Sequence, residues 1–297
     1  MSIPSGVRHV LSDAVFLFAL PMLVGVLPWR AGFALLRWVA RRELGFGDVV
    51  AAAWREASRI LPALDRAHFC QRYRLLLLVD RCDSVLCLLR SRRWWQRQVD
   101  WHGDGLERVP PGLLLNSHWG SGNWIWGLLE GHGTPAWFVA RRAGAGDVGR
   151  GRLSRGYLAW RTWAARHAGC LGIIHTGGSS GQVSQALARG ESVLGMLDLP
   201  ARPDQAQTAV SLCGRSVHFP VGLAALAVRA GVASTIVSCG LDMDSGRRHL
   251  HVEVLPQGLE TDEIVRRYAG HLERRIETGP AQWQAWPRAA HYFQAVQ

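Results

Sequence analysis

The sequence predicts an α/β fold, with a mostly central mixed sheet flanked by helices and an N-terminal helical region that contacts a membrane. Three observations carry that reading. From residue 112 onward, short apolar runs alternate with helical stretches. Residues 30–100 read as helices, with arginine and tryptophan interleaved. Residues 14–29, AVFLFALPMLVGVLPW, form the most apolar segment of the chain. The simplest division is a helical, membrane-anchoring region over 1–100 and an α/β domain over 101–297.

The apolar segment 14–29 carries Pro21 and Pro28 and falls short of the roughly 20 residues that a comfortable span needs. It reads as a short anchor or an in-plane helix, with a buried core helix as the alternative. The first residues are barely charged and no small-residue cleavage site follows, which argues against a signal peptide. In LLRSRRWWQRQVDW the tryptophans suit a lipid headgroup layer, or else turn into the core beneath a solvated basic face. The expected strands are GLLLNSH, PAWFVAR, CLGIIHT, SVLGMLD, TAVSLCG, RSVHFP, STIVSCGL and HLHVEVLP; helices are expected over 151–168, 179–189, 221–230 and 261–277.

The chain has 297 residues, 48% hydrophobic and 19% charged, enough to bury a full core. All 34 basic residues are arginine, and the formal net charge is +11. Such a balance fits an anionic partner: a membrane leaflet, an acidic carrier protein, a phosphorylated substrate or nucleic acid. Nucleic acid has only charge and Arg/Trp interleaving behind it and is not expected as a partner. Six scattered cysteines lack CxxC spacing and the histidines lack HExxH, so no metal is expected. The loop HTGGSSG lacks the phosphate-binding spacings and reads as a strand-to-helix turn, and no GxSxG supports serine hydrolase chemistry.

In NSHWGSGNWIWGLLE, His118 follows an apolar run and should sit at the C-terminal edge of a strand, where α/β sheets place ligands. Gly120, Ser121 and Gly122 permit a tight turn, and Asn123 is positioned to cap the next helix. That is a general base on a turn, or a hydrogen-bonded structural histidine. Asp198 ends SVLGMLD and should reach the same edge, or else serve as a turn residue before Pro200. Arg141, Arg142, Arg150, Arg152, Arg155, Arg161 and Arg166 form a basic rim, or a solvated helix face.

LLLNSHWGSGNW resembles the HxxxxD/E motif of the lysophospholipid acyltransferase superfamily, in the form found in late lipid A acyltransferases and phosphatidylinositol mannoside acyltransferases. ALARGESVLGMLDLPARP, FPVGLAALAVRAG and PAQWQAWPR resemble three further motifs of that family, in the same order. The resemblance implies transfer of a fatty acyl chain from a carrier thioester, on acyl carrier protein or coenzyme A, to a hydroxyl or amine of a lipid or glycolipid acceptor. The place would be the cytoplasmic face of a bacterial inner membrane, with no bound cofactor. His118 would be the general base. The motif's acidic position is held by Asn123, an atypical orienting partner that cannot offset the charge of an imidazolium, so Asp198 enters as the auxiliary acid. Arg161 and Arg166 resemble the family's arginine ahead of a glycine, here Gly169, and Arg141 stands where some relatives carry an acid. All three are candidate substrate-binding residues. The alternative is a catalytically degenerate relative that binds lipid or carrier protein.

Overall fold

The computed structural model describes residues 5–141, 152–200 and 205–293. Its N-terminal helices are α1 (Ser5–Ala14), a π-helical turn at Val15–Ala19, α2 (Leu20–Val26), α3 (Trp29–Arg41), α4 (Gly47–Ile60), α5 (Arg66–Leu89) and α6 (Arg92–Arg97). The α/β portion follows as β1 (Val99–Gly103), β2 (Gly112–Asn116), α7 (Trp124–Gly131), β3 (Ala136–Ala140), α8 (Arg152–His167), β4 (Gly172–His175), α9 (Ser180–Ala188) and β5 (Ser192–Met196). A hairpin of β6 (Gln207–Leu212) and β7 (Arg215–Pro220) leads into α10 (Gly222–Ala230), β8 (Ala233–Leu241), β9 (Arg248–Val254), α11 (Thr261–Thr278) and α12 (Ala290–Phe293).

Among the described residues the main sheet runs β1-β9-β8-β2-β5-β3-β4, with each neighbouring pair parallel except β8 with β9. The central strands are continuous apolar runs because both faces are covered. β2, GLLLN, is buried at every position. Leu113 and Leu115 pack with α4, α5 and α11, while Leu114 packs on the other face with Trp124, Ile125 and Leu128 of α7. β6 and β7 form a separate antiparallel pair whose turn residues, Cys213 and Gly214, both have positive φ (53° and 69°).

Helix α5 is the spine of the helical layer. Asp65 caps it by accepting the His68 N–H at 2.7 Å, and its middle is buried on nearly all sides, Asp80, Asp83 and Ser84 included. Through Val50, Phe69, Tyr73 and Leu77, the N-terminal helices share one hydrophobic core with the sheet and α11. Trp95 is 3% exposed and packs against Trp124, so this part of the Trp-rich stretch turns inward. Val99 to Gly103 form an edge strand where helix was expected up to residue 100, because pairing with β9 outweighs the local pattern.

No helix of the described residues is long and apolar enough to cross a membrane. The segment 14–29 is instead two-sided. Leu17, Leu20 and Val24 are buried, whereas Val15, Met22, Leu23 and Val26 are exposed, as are Val10 and Leu11 just before them.

Candidate active site

β2 and β5 are neighbouring parallel strands with Asn116 opposite Met196. Residues two positions beyond each therefore leave the same edge side by side, and these are His118 and Asp198. His118 Nδ1 lies 3.0 Å from Asp198 Oδ1, and the His118 backbone N–H donates to Oδ2 at 2.8 Å. The Asp198 side chain is fully buried, while that of His118 is 24% exposed.

A buried carboxylate must be compensated, and Asp198 is. Trp283 Nε1 donates to Oδ2 at 2.9 Å, and the Tyr268 hydroxyl lies 3.0 Å from Oδ1 and 2.8 Å from the Asn116 carbonyl. Tyr292 donates to the Asp198 carbonyl at 2.7 Å. Burial and the Asp198 charge push the Tyr268 hydroxyl well up, so it stays a donor at neutral pH. A carboxylate at Nδ1 fixes that nitrogen as the N–H and leaves the lone pair on Nε2. Nε2 has no hydrogen-bond partner among the described residues, which leaves it available as a base.

The turn carrying His118 is clamped from two sides. From the strap 279–286, Gln282 O accepts the Gly120 N–H at 2.8 Å, Gln284 N donates to His118 O at 2.7 Å, and Gln284 Nε2 donates to Gly120 O at 2.7 Å. Gly120 has φ of 78°, and a Cβ there would stand 2.0 Å from Cys239 O, so only glycine fits. From α5, the Asp83 carboxylate accepts the Ser121 hydroxyl, and Ser84 accepts the Asn123 Nδ2 at 2.9 Å.

The structure thus brings His118 and Asp198 together and turns the Asn123 amide toward α5. Asn123 stands just before α7, yet its side chain makes no capping bond: its backbone is already helical (φ -69°, ψ -26°), and its Nδ2 donates to Ser84. Arg161 is held by Asp80, with Nη2 to Oδ1 at 2.9 Å. Burial would raise the Asp80 carboxyl, but Arg161 and Arg81 override it and hold the carboxyl below its usual range. Arg166 and Arg141 are exposed on the surface. Arg142 and Arg150 lie outside the described residues, as does the side chain of Arg152.

No protein-family model matches the chain, and no curated protein matches it. Among solved structures it is similar to the crystal structure of the 1-acyl-sn-glycerophosphate (LPA) acyltransferase, PlsC, from Thermotoga maritima. That likeness has a TM-score of 0.39 and 16% identity, over 94% of this chain and 98% of that chain. At such a distance it carries no functional argument, and the chemistry rests on the site itself.

Sequence reasoning missed Tyr268, Tyr292 and Trp283 as the groups that hold Asp198. Trp283 had a signal, since it lies in PAQW, one of the motifs of the resemblance. It also missed the ion pair between Arg248 Nη2 and Asp83 Oδ1 at 2.5 Å, in which both side chains are fully buried. Burial pushes the Asp83 carboxyl up even with Arg248 and Ser121 opposing it.

Proposed function

We propose that the protein is a membrane-associated acyltransferase that moves a fatty acyl chain from a carrier thioester to a hydroxyl or amine of a lipid or glycolipid acceptor. The observation that carries this reading is the His118–Asp198 pair at the C-terminal edge of the sheet, with a buried, fully bonded carboxylate behind a partly exposed imidazole. His118 Nε2 takes the acceptor proton as the acceptor oxygen or nitrogen attacks the thioester carbon. Asp198 orients the ring and offsets the imidazolium charge as it develops. When the tetrahedral intermediate collapses, the C–S bond breaks and the imidazolium returns the proton to the leaving thiolate.

The donor is an acyl thioester of acyl carrier protein or coenzyme A, and the exposed Arg141 and Arg166 are the arginines suited to an anionic part of donor or acceptor. Arg161 acts through Asp80, by tying α8 to α5. The exposed apolar residues from Val10 to Val26, with a net charge of +11, support a face resting on an anionic leaflet, which we assign to the cytoplasmic side of a bacterial inner membrane. Late lipid A precursors belong to the acceptor class this reading covers.

The test is transfer of labelled acyl chains to a total lipid extract by membranes that contain wild type or His118→Ala. Transfer by wild type that His118→Ala abolishes supports the proposal. Wild type as inert as His118→Ala, with acylated lipid still bound, would instead make the chain a binding partner.

A further inference from the structure

Past Trp119, the same sheet edge holds a cavity of about 400 Å³, walled by the start of α5, the junction of β8 and β9, the last turn of α11 and the strap that follows it. The carboxylates on its walls are already answered. Asp242 accepts the backbone N–H groups of Asp244 and Ser245 at 3.0 and 2.6 Å and the Ser245 hydroxyl at 2.8 Å. Asp244 sits between Arg37 and Arg72, at 3.8 and 4.0 Å. Asp65 is the cap of α5.

Arg275 on the α11 wall is not answered. Its Nη1 lies 3.0 and 2.8 Å from the two ring nitrogens of His251, and its Nε is buried with no hydrogen-bond partner. Among the described residues it forms no ion pair with a carboxylate, since the neighbouring Glu253 is taken by Arg274 and His271. A guanidinium does not shed its proton to escape such a setting, and imidazole cannot neutralise it. Arg275 therefore presents, beside a water-accessible cavity, a guanidinium that no carboxylate of the described residues touches, with Glu253 acting on it only through space. A carboxylate matches a single guanidinium in charge and accepts charge-assisted hydrogen bonds from it.

We propose that this cavity binds a carboxylate-bearing ligand, with the carboxylate on Arg275. The inference goes beyond acyl transfer and does not depend on it, because binding is read directly. The carboxylate can belong to a soluble molecule or to a lipid headgroup. The experiment therefore titrates N-acetylglycine in solution, and separately vesicles of phosphatidylcholine doped with a long-chain N-acylglycine, against wild type, Arg275→Gln, Arg275→Lys and His118→Ala.

The expected result is saturable binding by wild type and His118→Ala, roughly tenfold or more weaker in Arg275→Gln, with Arg275→Lys in between because it keeps the charge and loses the fork. If Arg275→Gln does not fold, the weakening in Arg275→Lys is the readout. Binding of N-acetylglycine itself identifies a soluble source, and binding confined to doped vesicles identifies a lipid source. Either result, if lost with Arg275, supports the site. No binding to either probe, or equal binding by wild type and both Arg275 variants, overturns it. His118→Ala keeps the two readings apart, because an inactive protein that still binds the carboxylate refutes neither the cavity nor the role of Arg275.

Discussion

Asp198 holds His118 at two points: its Oδ1 lies 3.0 Å from the ring Nδ1 and its Oδ2 accepts the backbone N–H of the same residue at 2.8 Å. One carboxylate thus sets both the tautomer of the imidazole and the path of the turn that carries it. Replacement by Asn keeps the volume but removes the charge and makes one side-chain atom a donor. We expect Asp198→Asn to lower the rate of acyl transfer by about 10³- to 10⁴-fold, by analogy with the acid-to-amide change in the serine-protease triad. Initial rates with a labelled acyl donor check this; loss of less than about tenfold would remove Asp198 from the mechanism.

Tyr268 supports that carboxylate from below and touches Asn116 O as well. Tyr268→Phe removes the one proton that the hydroxyl offers to the Asn116 carbonyl or the Asp198 carboxylate, and it leaves the buried Asp198 backbone N–H without its acceptor. A loss of about 1–3 kcal/mol in stability is expected from urea denaturation, with a smaller rate loss than in Asp198→Asn.

Asn123→Asp restores the residue type of the family motif, yet its side chain would face Ser84 in a buried site near Asp83. A second acid there gains no contact with the His118 ring. The expected outcome is no gain in rate and a loss of stability on the order of 1–3 kcal/mol, measured by thermal or urea unfolding together with turnover. A faster enzyme would show that the side chain reorients toward His118.

The Arg248–Asp83 pair is fully buried and anchors Ser121 in the His118 turn. Removing one partner strands the other charge, so Asp83→Ala should cost about 3–5 kcal/mol, while the apolar pair Asp83→Leu with Arg248→Met should recover much of it. Denaturant titration of the single and double variants tests this; a double variant no better than the single would refute it.

His251 faces Arg275 and His271 from α11, His102 from β1 and His249 on its own strand; burial and these neighbours push it down to about 3. An unfolded histidine titrates near 6.5, so between those values the unfolded chain holds the extra proton and stability falls as pH falls. His251→Gln should flatten the slope of unfolding free energy over that window by up to about 1.4 kcal/mol per pH unit. Urea unfolding at several pH values, each compared with wild type, measures it.

Much of the element order is legible in the chain, because periodicity is local. The expected strand GLLLNSH contains β2, SVLGMLD contains β5, and the helix expected over 179–189 contains α9. β1 is not legible in this way, since its partner is β9, far along the chain. His118 announces itself by following an apolar run, and Asp198 does the same. What the chain by itself determined is therefore the sequence of elements and the placing of His118 and Asp198, among other titratable residues, at strand ends. Their contact was decided by strand order: β5 lies beside β2, in register, although several elements separate them in sequence. Tertiary structure likewise turned Asn123 to Ser84 and Arg161 to Asp80, because α5 buries its polar residues against whichever elements pack on it. Local pattern sets which face a side chain takes; only the packed fold sets what that face meets.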